Sequence, residues 1–300
     1  MGTEGDLPGK DLILRVLLLA DRFAPEVSAV SVRSLAHAKV WQELGHEVVV
    51  VTCAPNFPKG KVFEGYSNKL YQEDMVEGVK VIRIWSYMAA NEGVVKRSFD
   101  YISYLISSVM LCRRYPDFDV LLATSPPIFV AFAGVLVAKL RRRPWVFEVR
   151  DLWPASIRAV GVSKSPLLNL IEKLELALYR NANRVMVLTR SFEKDLVSRG
   201  IPAVKIDVVT NGVDLAQFKR PDSRRETREK LGVAEDTLLA GYIGTTGLAH
   251  GLETMVDAAE RCAGSDDICF LIMGEGADRK SLENLVAEKG LKNVIFKDFF

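Results

Sequence analysis

Residues 16–26 read Val-Leu-Leu-Leu-Ala-Asp-Arg-Phe-Ala-Pro-Glu, an apolar run of strand length that passes directly into a turn. Residues 146–154, Val-Phe-Glu-Val-Arg-Asp-Leu-Trp-Pro, and residues 239–247, Leu-Ala-Gly-Tyr-Ile-Gly-Thr-Thr-Gly, have the same form. A strand, a turn and a helix make the repeating unit of a parallel α/β sheet, whose ligands bind at the carboxyl ends of the strands. Because this unit starts twice along the chain, the sequence predicts two sheets with a ligand cleft between them.

Strand-length apolar runs alternate with segments of helical period along the whole chain, as successive βαβ units do. Before residue 211 the pattern predicts strands at 12–20, 46–53, 80–85, 120–124, 145–149, 185–189 and 206–210, and helices at 30–44, 97–114, 128–143, 167–180 and 191–200. After residue 221 it predicts strands at 237–243, 268–273 and near 294, and helices at 224–231, 251–263 and 278–290. The predicted fold class is α/β, with two Rossmann-like doubly wound parallel-sheet domains.

The predicted domain boundaries follow the composition. Residues 1–11 are a tail with acidic, Gly and Pro residues, residues 12–210 form an N-terminal Rossmann-like domain, and the polar, turn-rich residues 211–221 cross to a second domain at 222–300. A doubly wound domain usually has five or six strands, whereas three are predicted after the crossing. We therefore expect the second domain to be partial in this chain.

The composition is that of a globular protein. Of the 300 residues, 49% are hydrophobic and 26% are charged, which is enough apolar material for two cores, and the net charge of +2 gives no indication of a nucleic-acid partner. The four cysteines lie far apart in the sequence, which favours buried thiols in a reducing cytoplasm over a zinc site or disulfides. Residues 1–11 contain no apolar signal core, and no apolar run reaches the roughly 18 to 20 residues of a membrane-spanning helix.

Five short motifs, ATSPP, RDLWP, NGVD, GLET and MGEG, occur in one order at residues 123–127, 150–154, 211–214, 251–254 and 273–276. In this set the chain resembles the retaining glycosyltransferases of family 4, and most closely the branch that builds bacterial surface polysaccharides. The resemblance covers most of residues 12–300. It implies a GT-B arrangement of two facing Rossmann-like domains, with the acceptor side in the first and the nucleotide-sugar site in the second.

The resemblance implies an enzyme that moves a hexosyl or N-acetylaminosugar group from a nucleotide diphosphate sugar to a hydroxyl acceptor with retention, in O-antigen or capsule assembly. Acceptors in this branch are often lipid diphosphate-linked sugars. The family also uses a later element of two glutamates separated by seven residues, which these 300 residues do not contain, so we expect them alone to be poorly active or inactive. The alternative interpretations are a non-catalytic subunit that binds a sugar nucleotide or a partner, a truncated inactive transferase and, more distantly, a GT-B-type sugar-nucleotide epimerase.

The donor site is predicted at two glycine-containing turns. Glycine within residues 243–247 removes the Cβ that would block a phosphate, and the following helix offers unpaired N–H groups at its start. The resemblance assigns donor binding to both turns and to one residue of the crossing: Gly244, Thr245, Thr246, Gly247, His250, Gly274, Gly276 and Asn211. Many relatives carry Arg or Lys where this chain has Thr246 and His250. The alternative for both turns is a packing role.

The acceptor side is predicted at the carboxyl ends of strands in the first domain. The resemblance makes Asp151 the candidate catalytic residue, which orients the acceptor hydroxyl or stabilises charge near the anomeric carbon. The alternative is that Asp151 caps the following helix or pairs with Arg150. Further candidates lie at this and neighbouring strand ends: Pro25, Glu26, Ser28, Ser125 and Arg150.

No metal and no cofactor is predicted. Asp117-Phe118-Asp119 imitates the Asp-x-Asp metal motif of the other large glycosyltransferase architecture, but it precedes the strand at 120–124 and so lies at the wrong end of the sheet. We interpret it as a solvated turn. A dinucleotide site would need Gly-x-Gly-x-x-Gly after the first strand, and the turn at 21–28 contains no glycine, which argues against bound NAD.

A membrane hypothesis comes from residues 96–114, which have an apolar body between Lys-Arg and Arg-Arg pairs, and from the basic residues within 139–143. Such a helix can lie in a bilayer interface with its cations on anionic headgroups. The hypothesis is peripheral contact with the inner face of the plasma membrane, where a lipid-linked acceptor would be found. The alternative is a core helix with solvated ends.

Overall fold

The computed structural model describes residues 12–57, 59–89, 94–152, 166–213, 215, 223–247 and 250–298. The chain divides into two compact units, one ending at Gly212 and the other starting at Val213. This division falls inside the segment 211–221 for which the sequence predicts the crossing. The tail and the motif residues Trp153, Pro154 and Asp214 lie outside the described residues.

The first unit is built on a sheet of eight described strands: β1 Arg15–Leu19, β2 Glu47–Cys53, β3 Tyr71–Val76, β4 Val79–Ile84, β5 Val120–Ser125, β6 Trp145–Val149, β7 Arg184–Val187 and β8 Ile206–Val208. Their order across the sheet is β3-β4-β2-β1-β5-β6-β7-β8. The helices described in this unit are α1 Ala29–Glu43, α2 Val94–Leu111, α3 Ile128–Arg141, α4 Pro166–Asn181 and α5 Arg190–Ser198. Short 3₁₀ turns lie at 112–114 and 203–205.

β1 lies in the middle of this sheet and pairs in parallel with β2 and β5. Strands that are buried on both faces read as continuous apolar runs, and residues 17–19 of β1 are at most 1% exposed. Helix α3 packs closely on the sheet at Gly134, where a Cβ would lie 2.6 Å from the Cβ of Ala123 in β5. The parallel strands therefore bring their carboxyl-end turns to one edge of the sheet.

β3 was not predicted from the sequence. It is an antiparallel edge strand that forms a hairpin with β4, and the turn between them has positive φ at both Glu77 (47°) and Gly78 (82°). Positive φ at both central residues is the type I′ geometry of tight hairpins. The strand itself reads Tyr-Gln-Glu-Asp-Met-Val, which has too little apolar alternation to indicate a strand. Its Asp74 Oδ2 lies 2.9 Å from Nε of the buried Arg83.

The second unit contains a parallel sheet in the order β11-β10-β9 among its described residues, with β9 Leu238–Ile243, β10 Ile268–Met273 and β11 Val294–Lys297. Its described helices are α6 Arg224–Leu231, α7 Glu253–Arg261 and α8 Arg279–Glu288. Helix α6 begins with a capping box between Ser223 and Glu226 and ends at Gly232, whose φ is 71°. The predicted bounds of β6, β10 and α6 agree with the structure to the residue, and the α/β prediction with Rossmann-like parallel sheets is confirmed.

Candidate functional site

Glu26 joins the turns that follow β1 and β2. Its Oε1 accepts hydrogen bonds from the N–H groups of Asn56 at 2.6 Å and Phe57 at 2.8 Å, while its side chain is buried. Ser28 caps helix α1 by accepting from Ser31 N–H at 3.2 Å. Pro25 lies exposed in the same turn. The structure therefore gives Glu26 and Ser28 a role in holding the turn, in addition to the predicted place on the acceptor side.

Arg150 is fixed against the end of β5. Its Nε donates to Thr124 Oγ1 at 2.9 Å and to the Ser125 carbonyl at 2.8 Å, and its Nη2 donates to the Pro126 carbonyl at 3.3 Å. Burial lowers the pKa of Arg150, and the carboxylates of Glu148, Asp21 and Asp151 oppose that shift. These bonds make Arg150 a rigid cation at the carboxyl end of β6.

Asp151 follows Arg150 and is exposed. It lines a small pocket at the ends of β5 and β6 together with Ser125, Pro126, Ile128, Phe147 and Glu175. The predicted residues Asp151 and Ser125 are thus brought to one pocket. Glu175 was not predicted, because nothing in the sequence of α4 distinguishes it from solvated glutamates. It is buried, and accepts from Tyr179 Oη at 2.7 Å and from Arg199 Nη2 at 3.0 Å.

Two further acids lie beside the turn after β1. Asp21 is 6% exposed and Asp100, on α2, is 8% exposed. Burial raises the pKa of Asp21 to about 6, against the nearby cations Arg22 and Arg150. Burial, with the charges of Asp21 and Glu26, raises the pKa of Asp100 to about 7. Neither acid was predicted as a site residue, because Asp21 and Asp100 are distant in the sequence.

Asn211 lies at the end of the first unit and contacts Arg33 of helix α1. Arg33 Nη1 donates to Asn211 Oδ1 at 2.7 Å and Nη2 donates to the Val209 carbonyl at 3.1 Å. The same guanidinium pairs with the buried Glu148 of β6, with 2.6 Å between Nε and Oε1. We call Arg33, Glu148 and Asn211 the Arg33 clamp. It ties the start of the predicted crossing to the sheet of the first unit.

Two turns at the ends of β9 and β10 contain the predicted donor residues; residues 244–247 are the first glycine turn and residues 274–278 the second. Thr246 N–H donates to the Glu275 carbonyl and Asp278 N–H donates to the Thr246 carbonyl, both at 3.0 Å. A Cβ on Gly276 would lie 2.6 Å from the Thr246 carbonyl carbon and closer still to its oxygen. Glycine is therefore required for the two turns to meet.

His250 and Tyr242 each make a hydrogen bond with the backbone of the first glycine turn. Gly247 N–H donates to His250 Nδ1 at 3.2 Å, and Tyr242 Oη donates to the Thr245 carbonyl at 2.8 Å. A Cβ on Gly244 would lie 3.0 Å from Tyr242 Oη. Tyr242 was not predicted as a site residue because it lies in a strand whose apolar pattern indicates only packing.

Gly274 starts the second glycine turn with a φ of 140°, which favours glycine. Its N–H donates to the Lys297 carbonyl at 3.0 Å and its carbonyl accepts from Arg279 Nη1 at 2.7 Å. The guanidinium of Arg279 also stacks on Phe296, 4.8 Å from the ring centre. Arg279, which was not predicted, thus places a cation beside the second glycine turn.

Two buried polar groups in these turns have free atoms. Thr246 is fully buried and Asp278 is 3% exposed, and no described residue makes a hydrogen bond with Thr246 Oγ1 or Asp278 Oδ2. Asp278 occupies the N-cap position of α8 without a side-chain capping bond. Buried polar atoms normally have partners, so these two atoms are available to a ligand.

Helix α7 begins at Glu253, two residues later than predicted. The N–H groups of Thr254 and Met255 already donate to the Gly251 and Leu252 carbonyls, and Glu253 adds a negative charge to the first helical turn. The helix start is therefore a poorer anion site than predicted, because its positive dipole end is partly neutralised by Glu253.

The predicted position of the Asp-x-Asp imitation, at the amino end of β5, agrees with the structure, but its carboxylates are ion-paired instead of simply solvated. Asp119 accepts from Arg15 Nη2 at 2.8 Å and Asp117 accepts from Arg141 Nη2 at 2.8 Å. Hydrogen bonds from Arg15 hold the pKa of Asp119 well below its usual range. Among the described residues, no group of three or more His, Cys, Asp or Glu side chains could hold a metal ion.

The family profile described as the glycosyl transferase 4-like domain matches residues 28–212, more than half of the chain. The chain belongs to the glycosyl transferase 4-like family. The match ends at Gly212, where the first compact unit ends. The family assignment made from the sequence motifs is thus confirmed at the level of this domain.

Two sequence relatives extend the likeness beyond the glycosyl transferase 4-like domain. The putative colanic acid biosynthesis glycosyl transferase WcaI of Escherichia coli K12 is 25% identical over 94% of this chain and 71% of its own length. A GDP-mannose-dependent alpha-mannosyltransferase of Mycobacterium tuberculosis is 25% identical over 90% of this chain and 65% of its own length. The chain therefore spans about two thirds of the length of these relatives.

Solved structures of glycosyltransferases share the fold. Anabaena HepE in complex with UDP and glucose superposes with a TM-score of 0.64 at 16% identity, over 96% of this chain and 70% of that one. WaaG, a glycosyltransferase involved in lipopolysaccharide biosynthesis, gives a TM-score of 0.64 at 17% identity, over 95% and 70%. At this identity the likeness shows the fold alone, which is that of GT-B glycosyltransferases.

Proposed function

We propose that this chain is a retaining glycosyltransferase that moves a hexosyl or N-acetylaminosugar group from a nucleotide diphosphate sugar to a hydroxyl acceptor in bacterial surface-polysaccharide assembly. The observation that carries the proposal is the family match over residues 28–212. The Escherichia coli relative is named for colanic acid biosynthesis and WaaG for lipopolysaccharide biosynthesis, which supports the polysaccharide role.

In the proposed reaction the acceptor hydroxyl attacks the anomeric carbon from the face that the diphosphate leaves. The bond from that carbon to the diphosphate oxygen breaks, and a phosphate oxygen takes the hydroxyl proton, so configuration is retained without a metal or cofactor. The protein contributes positioning and stabilisation of the leaving diphosphate. We assign the donor to the two glycine turns and His250, and the acceptor to Ser125, Arg150 and Asp151.

A nucleotide diphosphate sugar is expected to raise the melting temperature of the protein. A ligand that binds only the folded state stabilises it by RT ln(1 + [L]/Kd), about 2.7 kcal/mol at one hundred times Kd. The relatives differ in base, since HepE was solved with UDP and glucose whereas the mycobacterial relative is GDP-mannose-dependent. Differential scanning fluorimetry with UDP-glucose, UDP-N-acetylglucosamine and GDP-mannose, with AMP as the control, measures the effect and identifies the base.

Release of UDP or GDP on addition of an acceptor separates the two functions that the sequence leaves open. Binding followed by release supports the transferase. Binding with no release in the presence of any acceptor supports the non-catalytic sugar-nucleotide-binding subunit. A protein whose melting temperature responds to none of the sugar nucleotides contradicts the proposed function.

The proposal includes a cytoplasmic location with contact to the inner face of the plasma membrane, through a surface that we call the apolar stripe. It consists of α2 residues that are each at least half exposed: Val95 69%, Phe99 60%, Ile106 51% and Met110 76%. These positions recur at helical spacing along one face of α2. Exposed cations flank the stripe at Lys96, Arg113 and Arg114, and α3 adds the exposed Leu136 and Leu140.

The apolar stripe and its flanking cations support an interfacial helix, which gains from both apolar burial and attraction to anionic lipids. None of the described helices is both long and apolar enough to cross a membrane. Contact at the interface would bring a lipid diphosphate-linked acceptor to the first unit, which is why we assign this class of acceptor.

The protein is expected to float with vesicles of phosphatidylglycerol and phosphatidylethanolamine, and to lose at least tenfold in vesicle affinity when Phe99 and Met110 are both replaced by Ser. Each replacement removes apolar area from the interface, at about 25 cal/mol per Å². The matched control is Val204→Ser, because Val204 is 77% exposed in the same unit but lies far along the chain from α2. Equal flotation of all three proteins, or binding that does not respond to salt, would remove the membrane proposal.

A further inference from the structure

The turn after β1 meets helix α2 at a group of three buried acids, Asp21, Glu26 and Asp100, which we call the buried acid cluster. Their exposed fractions are 6%, 3% and 8%. Asp21 and Glu26 follow β1, at the edge of the sheet where parallel α/β proteins bind ligands. Asp100 reaches the same place from α2, on the side of the helix away from the apolar stripe.

The buried acid cluster has free hydrogen-bonding atoms. Asp21 Oδ1 and Glu26 Oε2 are buried and receive no hydrogen bond from any described residue. Glu26 still has its other oxygen bonded to two backbone N–H groups, whereas the nearest cation to Asp21 is Arg22, whose Nε lies 3.6 Å from Oδ2. Asp21 therefore combines a buried oxygen that has no hydrogen bond with a cation that lies too far away to donate one.

The charges around Asp21 come from every element packed against it. Arg22 and Glu26 belong to its own turn, and Arg22 is turned onto the Phe57 ring at 4.1 Å. Arg150 follows β6, Asp100 and Tyr104 are on α2, and Cys53 at the end of β2 donates its thiol to the Asp21 carbonyl at 2.8 Å. Three cations, Arg22, Arg150 and Arg97, thus face the three acids. Each also has another partner: the Phe57 ring, the carbonyl of Ser125 and Tyr101, respectively.

A buried carboxyl group with an unpaired oxygen costs free energy that a purely structural position would avoid. Glu148 shows the contrast in the same sheet, because Arg33 pairs with it at 2.6 Å. Since no metal-binding arrangement exists among the described residues, the partner that suits the free oxygen of Asp21 is a hydrogen-bond donor. A sugar hydroxyl is such a donor.

We propose that Asp21 is an acceptor-binding residue whose free Oδ1 accepts a hydrogen bond from a hydroxyl of the sugar acceptor. The inference rests on the proposed function and adds to it the acceptor contact. The acceptor hydroxyl group binds best when Asp21 is ionised, because a carboxylate accepts hydrogen bonds more strongly than a neutral acid.

The expected pH dependence of acceptor use follows from the burial of Asp21. Because the pKa of Asp21 is raised to about 6, use of the acceptor declines as the pH falls through 6. Asp21→Asn removes the titrating carboxyl group, so this decline is lost in that variant.

The melting temperature is a second measurement of the role of Asp21. Replacing an ordinary structural residue lowers the melting temperature, whereas replacing Asp21 should raise it at high pH. A raised folded-state pKa means that the stabilising contribution of the acid is present below about pH 4 and is lost as the pH rises through 6. Asp21→Asn removes this loss. We expect the variant to melt at a temperature roughly 2 to 4 °C higher than the wild type at pH 8, and at about the same temperature at pH 4.

The experiment compares wild type, Asp21→Asn and the control Asp117→Asn, in which the replaced acid lies at the opposite end of the sheet in an ion pair with Arg141. Transfer from the sugar nucleotide identified by fluorimetry to an octyl glycoside is measured between pH 5 and 9. For Asp21→Asn we expect the acceptor KM to rise by roughly tenfold to a hundredfold, as for loss of a charged hydrogen bond. The donor KM and the donor-induced rise in melting temperature stay as in the wild type.

The outcomes separate this inference from the proposed function. A melting temperature of Asp21→Asn below that of the wild type at pH 8, or an unchanged acceptor KM, overturns the role of Asp21. A decline of acceptor use at low pH that persists in Asp21→Asn overturns the assignment of that decline to Asp21. A wild-type protein that shows neither donor binding nor transfer defeats the proposed function instead, and the melting temperatures at pH 8 then decide alone whether Asp21 is an uncompensated buried acid.

Discussion

Gly276→Ala is expected to disrupt both glycine turns and to abolish sugar-nucleotide binding. The added Cβ would lie 2.6 Å from the carbonyl carbon of Thr246 and 2.9 Å from its nitrogen, so it would collide with backbone on two sides. Backbone cannot rotate away as a side chain can, and overpacking of this kind costs about 1 to 3 kcal/mol or more. We expect a loss at the upper end of this range, about 3 kcal/mol, from the stability of the second unit.

Two other glycines of the same unit calibrate the effect. Gly264→Ala places a Cβ with nothing within 4 Å, and Gly244→Ala places one 3.0 Å from the movable hydroxyl of Tyr242. Urea unfolding should therefore rank the stabilities Gly264→Ala, Gly244→Ala, Gly276→Ala from highest to lowest, and the fluorimetric shift with sugar nucleotide should be lost in the last. Equal unfolding curves for Gly264→Ala and Gly276→Ala would show that the two turns do not meet as described.

The same turns show what the sequence reveals. The apolar run at 239–243 followed by Gly-Thr-Thr-Gly is enough to predict a strand and a tight turn, because strand period and glycine are local signals. It does not reveal that Gly276 packs against Thr246, because that contact joins positions 30 residues apart in two separate βα units. The requirement for glycine at 276 becomes visible only when the backbone of the other turn is placed.

The first unit shows the same limit for charged residues. The sequence places Glu26 correctly in the turn after β1, yet its bonds to the Asn56 and Phe57 amides depend on the neighbouring turn after β2. Asp21 and Asp100 carry no local signal of a shared environment, because one follows a strand and the other lies within an amphipathic helix. Strand β3 was missed for a related reason, since an edge strand with a polar face depends on its partner and not on its own apolar pattern.

Arg33→Ala is expected to destabilise the first unit by about 3 to 5 kcal/mol, the cost of leaving one member of a buried ion pair without its partner. The side chain of Glu148 is 2% exposed and lies 2.6 Å from Arg33, so the carboxylate cannot be rehydrated in place. His37 lies 3.9 Å from Glu148, too far to replace the 2.6 Å hydrogen bond from the guanidinium. Urea unfolding at pH 7 measures the loss.

The Arg33 clamp should also stabilise one segment locally, because the same guanidinium donates to the Val209 carbonyl and to Asn211 Oδ1 at the start of the crossing. Arg33→Ala should therefore speed amide hydrogen exchange at residues 209–212 beyond its effect on the rest of the first unit.

Replacing Arg33 and Glu148 together by Met should recover most of the stability, since no buried charge is left, but should leave the exchange at 209–212 fast. Lys39→Ala is the control on the same helix, because its ion pair with Glu77 is exposed and is worth at most about 1 kcal/mol. Slow exchange at 209–212 in the double variant would show that this segment is held without Arg33. The contribution of Arg33 would then be its ion pair with Glu148 alone.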